Sequence, residues 1–101
     1  VSAYREHFAE HLRLTILRLL AELPSYSANS SVITDAAHEL GLVATRDIIR
    51  TELAWMAEQG LVTTREPAPG LVVATATERG LDVAAGRSRV PGVQRPGPGK
   101  A

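Results

Sequence analysis

The chain has 101 residues, 11 basic and 11 acidic side chains, 45% hydrophobic residues and no cysteine. That length makes one domain with a modest core. The missing cysteine excludes disulfides and thiolate metal sites, and there is neither an apolar run long enough to span a bilayer nor a secretory signal pattern. The charge is unevenly spread. Residues 87–101 hold Arg87, Arg89, Arg95 and Lys100 with no acid, whereas residues 1–86 hold seven arginines and eleven acids. The body is therefore at −4 and the C-terminal stretch at +4. An acidic body lacks the basic excess of a strong nonspecific DNA binder.

In chain order, the first predicted helix runs from about Ser2 to Leu23, with Phe8, Leu12, Ile16, Leu19 and Leu23 on one stripe. Pro24 closes it, because the residue before a proline is pushed out of α geometry. Leu14 and Leu17 fall nearly opposite that stripe. Two readings stand for them: packing under the C-terminal tail or single exposure, or a homodimer contact through a two-sided apolar helix. Ser25 to Asn29 reads as a polar connector. A second helix is predicted over Ser30 to Leu40, burying Val32, Ile33, Ala36, Ala37 and Leu40 and ending at Gly41.

The third helix is the strongest local signal. Thr45 is its expected N-cap, Ile49, Leu53 and Met56 form its buried face, and Gly60 supplies a left-handed C′ residue. Two helices joined by a short turn form a helix-turn-helix. Strands are predicted over Leu61–Glu66 and Leu71–Thr77, joined by a Pro67–Gly70 turn. Thr77 caps a short last helix from Glu78 to Ala85. Residues 87–101, rich in Pro and Gly, read as a disordered or extended tail. The expected fold is therefore α+β: a winged helix-turn-helix domain over residues 1–86, with three helices, a two-stranded wing and a short C-terminal helix, followed by a disordered basic tail over 87–101.

In such a unit the N-terminal part of the third helix enters the major groove. Arg46 and Arg50 are placed to donate to guanine edges or phosphate, Thr51 to meet a phosphate or a thymine methyl, and Thr45 to present helix N-terminal N–H groups. Arg65 is the wing's only cation. Against this, residues 42–61 hold two arginines and three acids, and Asp47 with Arg50 at i, i+3 suits a local ion pair. Ile48 and Trp55 lie beside the main stripe, as edge-of-core residues closing on the first helix or as contacts for a partner. The basic tail reads either as a loose terminus or as an arm following nucleic acid or an acidic partner. His7 and His11 sit at i, i+4 without cysteine, so a solvated helix face is preferred to a metal site. No nucleophile elbow, P-loop, dinucleotide motif or zinc-protease helix is present. The reading is a non-enzymatic protein with no cofactor and no metal.

The segments "LAWMAEQGLV" and "TERGLDVA", on either side of the hairpin, resemble winged-helix regulators of the ArsR/MarR type over about residues 42–86. Over nearly the whole chain, "LRLTILRLLAELPSYSANSSVI", "RTELAWMAEQGLV" and "ATATERGLDVAAGRSRVPGVQRPGP" resemble a family of small Mu-like prophage proteins. That resemblance implies a bacterial host, a cytoplasmic setting and placement near late head and terminase genes. Metal sensing is not carried over, since thiolate-sensing ArsR proteins use cysteines. The prophage resemblance supplies no activity of its own. The leading function is double-stranded DNA binding through Thr45, Arg46, Arg50, Thr51 and Arg65, with regulation of transcription, and of these Arg46, Arg50 and Thr51 match positions that usually face DNA in winged-helix regulators. The alternative is a protein-interaction adaptor in phage assembly or DNA packaging, meeting a phage protein or a second copy through Leu14, Leu17, Ile48 and Trp55.

Overall fold

The computed structural model describes residues 2–97. The chain runs as α1 (Ser2–Glu22), a tight turn over Pro24–Tyr26, β1 (Ser27–Asn29), α2 (Ser30–Glu39), α3 (Arg46–Glu58), β2 (Val62–Ala68), β3 (Leu71–Ala76) and α4 (Glu78–Ala84). The architecture is α+β, four helices with a three-stranded antiparallel sheet in the order β1-β3-β2. No helix among the described residues is long and apolar enough to cross a membrane.

The stretch expected as a polar connector contains the third strand. Ser27, Ala28 and Asn29 pair with Thr75, Ala74 and Val73, and Ser27 Oγ lies 2.6 Å from Thr75 Oγ1. Asn29 then caps α2 by accepting from the Val32 N–H at 2.8 Å. On the other side Val62 to Arg65 pair with Ala76 to Val73, and Ala68 pairs with Leu71. The register slips between Arg65 and Ala68, where Pro67 has no N–H to give the ladder.

Ile49, Leu53 and Met56 are wholly buried, as their spacing predicts. They meet Leu12, Ile16, Leu17 and Leu20 of α1, Ile33 of α2 and Leu61 after α3 in one core. The face predicted for α2 is rotated. Val32 and Leu40 are 48% and 64% exposed, while Ser30, Ile33 and Ala37 point inward. Ser30 is tolerated because its Oγ accepts from the Val72 N–H at 3.1 Å, joining α2 to β3.

The homodimer reading of Leu14 and Leu17 is overturned. They are 6% and 0% exposed within a single chain, so they belong to the core and present no outer surface. The helix buries more than one side because α4 packs on it, with Leu17 beside Gly80, and the segment expected to be disordered also reaches it. Beyond Gly86, residues 87–97 form an irregular strap in which Val90 and Val93 are 3% and 8% exposed. A turn closes with the Val93 N–H donating to Val90 O at 3.1 Å, and the Gln94 N–H donates to Glu10 O of α1 at 3.2 Å. Disorder therefore does not describe residues 87–97, because two valines of the strap find apolar cover. Lys100 lies outside the described residues.

Candidate interaction surface

Alpha-3 is placed by its caps. Thr45 Oγ1 accepts from the Ile48 N–H at 3.1 Å, which takes up one of the helix N-terminal donors a phosphate would use. At the other end Gly60, at φ +76°, sends its N–H to Ala57 O, and the Leu61 N–H returns to Met56 O. The chain is thereby turned directly into β2.

Around the helix the candidate residues fall into three sectors. On the hairpin side Arg50 bonds Gly70 O at 3.3 Å and lies 3.5 Å from Asp47. Glu66 accepts from the Gly70 N–H at 2.7 Å, so the hairpin tip carries a carboxylate. Arg46 donates to Ser31 Oγ of α2 at 3.0 Å. The outward sector, centred opposite Ile49, Leu53 and Met56, holds Asp47, Thr51, Ala54 and Glu58, all exposed. That stripe bears two carboxylates and no cation.

Arg65 is exposed on β2 and makes no ion pair among the described residues. It pairs with Val73 in the ladder. Strand alternation sends it to the same side as Thr63 and away from the Val62 side that enters the core. The five residues proposed for DNA thus do not form one cationic face: Arg46 and Arg50 are held by neighbours, and Arg65 lies on a separate strand face.

The third sector looks toward α1. Ile48 is 41% exposed. Trp55 is half-buried, with the Arg13 guanidinium 3.9 Å from its ring centroid. Arg13 also pairs with Glu52 at 2.5 Å and donates to Gly92 O of the strap at 2.8 Å. Trp55 is therefore an edge-of-core residue closing on α1. Arg13, Glu52 and Gly92 escaped sequence reasoning because their meeting joins positions 79 residues apart. The trace in the sequence is Val90-Pro91-Gly92-Val93, a Pro-Gly turn between two valines. Among the described residues no three His, Cys, Asp or Glu side chains gather as a metal site would need. His7 lies 4.0 Å from Glu10.

No family model matches the chain, and no solved structure does. The sequence is 46% identical over 89 residues to the uncharacterized protein gp26 of Escherichia phage Mu, covering 88% of this chain and 91% of gp26. It is 39% identical over 79 residues to an uncharacterized protein of Haemophilus influenzae Rd, covering 78% of this chain and 76% of that one.

Proposed function

This chain belongs to the family of the phage Mu protein gp26, and on that premise we propose that it is a non-enzymatic winged-helix adaptor that meets a protein partner in phage assembly or DNA packaging, in the cytoplasm of the bacterial host. Support for the winged-helix reading comes from element order. Beta-1 precedes α2, α3 runs straight into the β2–β3 hairpin, and β1 closes the sheet on β3. The hairpin is the wing and α3 is the presented helix.

One observation favours a protein over duplex DNA at this helix: the outward stripe Asp47, Thr51, Ala54, Glu58 repels phosphate. Small residues at its centre and acids at its ends suit a partner element with basic residues flanking a close contact. A photoreactive residue at position 54 tests this in host cells producing the phage. We expect a crosslink to one phage protein that disappears in an Asp47→Lys, Glu58→Lys double variant. A crosslink to DNA, or a protein adduct indifferent to the charge reversal, would sink the adaptor reading.

The second reading is DNA binding with transcriptional regulation. It is favoured by the exposed Arg46 at the start of α3 and the unpaired Arg65 on the wing. It predicts sequence-preferring duplex binding that fails in an Arg46→Ala, Arg50→Ala double variant.

A further inference from the structure

Not every cation is held by a neighbour. Arg13 is paired with Glu52, Arg50 with Asp47 and Arg87 with Asp82, while Arg46 is bonded to Ser31. Arg5, Arg89 and Arg95 are exposed and make no ion pair among the described residues. The strap brings these three together. Two adjoining surface recesses share Glu10 and Gly92. Arg5 and Arg13 line the first, and Arg89, Pro91, Val93 and Arg95 line the second.

The placement is built into the fold. Gly92 sits at φ +99°, and a Cβ there would come within 2.9 Å of two Trp55 ring carbons. Only glycine fits between Arg13 and Trp55, so the turn seats at one point and holds Arg89 and Arg95 on either side of it. Glu6 and Glu10 also line the recesses, where the three arginines that make no ion pair among the described residues outnumber the two carboxylates. Ala9, Pro91 and Val93 are the only apolar side chains that line them. So little apolar lining beside these three arginines suits an anionic occupant. Phosphate needs only donors and positive charge.

We propose that Arg5, Arg89 and Arg95 form a docking surface for the phosphate backbone of nucleic acid. It is separate from α3 and independent of base sequence. It goes beyond the adaptor reading and rests on different residues, giving the molecule an acidic helix for protein and a basic strap for nucleic acid.

The test uses the full chain and a labelled random duplex of about 20 base pairs, followed by anisotropy between about 50 and 200 mM salt. An Arg5→Ala, Arg89→Ala, Arg95→Ala triple variant is expected to bind at least about tenfold more weakly at low salt. Its log–log salt slope should be shallower by roughly two to three, near 0.9 for each phosphate that is no longer neutralised. Unchanged Trp55 emission in the triple variant confirms that the strap is still seated. Arg79→Ala, an exposed arginine on α4, should bind like the parent chain. The proposal is overturned if the triple variant binds as the parent does, or if the parent does not bind at low salt. It is also overturned if Arg46→Ala, Arg50→Ala abolishes binding while the triple variant retains it. Displacement of the duplex by poly-glutamate at equal charge would assign the surface to an acidic protein instead. None of these results touches the position-54 crosslink, so the two proposals fail separately.

Discussion

Arg13 joins three parts of the chain through one guanidinium. It stacks on Trp55, pairs with Glu52 and holds the Gly92 carbonyl. The pair with Glu52 is mostly shielded from water, with side chains 16% and 12% exposed, so removing one partner strands the other. Gly92 is more sensitive still. Gly92→Ala adds a left-handed backbone cost of about 1–2 kcal/mol to an overpacking cost of about 1–3 kcal/mol. The expected relief is that the strap lifts off. Trp55 is the only tryptophan, so its emission should shift red in Gly92→Ala under native conditions, and a shift of zero would mean the strap can be seated without the glycine. Leu17 gives the complementary case. Read from spacing alone it is a candidate for meeting a second chain, yet it is wholly buried. Leu17→Ala should therefore cost about 2–5 kcal/mol in urea unfolding without altering the oligomeric state. Ile48→Ala, at a 41% exposed site, should cost well under half of that.

At the scale of elements, sequence legibility followed the number of partners each element has. Alpha-3 packs one face on one core, so a 3.6-residue period reports it directly: Thr45, Ile49, Leu53, Met56 and Gly60 all stand where spacing placed them. Alpha-1 is covered by α2, α4, the sheet and the strap, so no single stripe describes it, and Leu14 and Leu17 looked surplus. Beta-1 has three residues, Ser-Ala-Asn, with no β-branched side chain. Its existence depends on the β3 edge, which no local pattern reveals. The candidate site was legible as residue types and not as a surface. Charge along α3 predicted the Asp47–Arg50 pair, but the tie from Arg50 to Gly70 and that from Arg46 to Ser31 depend on tertiary neighbours. Thr45→Ala tests the cap and should cost about 1 kcal/mol, seen as a lower urea midpoint with an unchanged slope. Gly80 is a harder constraint at the start of α4. A Cβ there would clash with the backbone of Leu61, and Thr77 beside it bonds both Gly60 O and Leu61 O. Gly80→Ala must push α4 off the α3–β2 junction, and is expected to lower stability more than Thr45→Ala does.

For the whole molecule, the strap decides where the domain ends. A division at Gly86 follows composition, since Pro, Gly and Arg crowd the last fifteen residues and resemble a solvated tail. Composition does not see Val90 and Val93, which fall between the prolines and glycines and reach apolar cover. Burying a valine is worth roughly 1.5–3 kcal/mol, so the two together contribute roughly 3–6 kcal/mol as an upper bound. That is a large share of the roughly 5–15 kcal/mol by which a domain is stable. A chain ending at Gly86 should therefore melt well below the full chain in circular dichroism, with Trp55 emission red-shifted before heating because Gly92 no longer covers its ring. A chain ending at residue 97 should keep the parent melting temperature and emission. If the chain cut at Gly86 melts with the parent, the strap contributes nothing to stability, and the domain closes at α4. If both effects appear, the strap is part of the core, and truncation at Gly86 confounds any test of nucleic-acid binding. Point substitutions at Arg89 and Arg95 then become the only clean way to separate the charge of the strap from its packing.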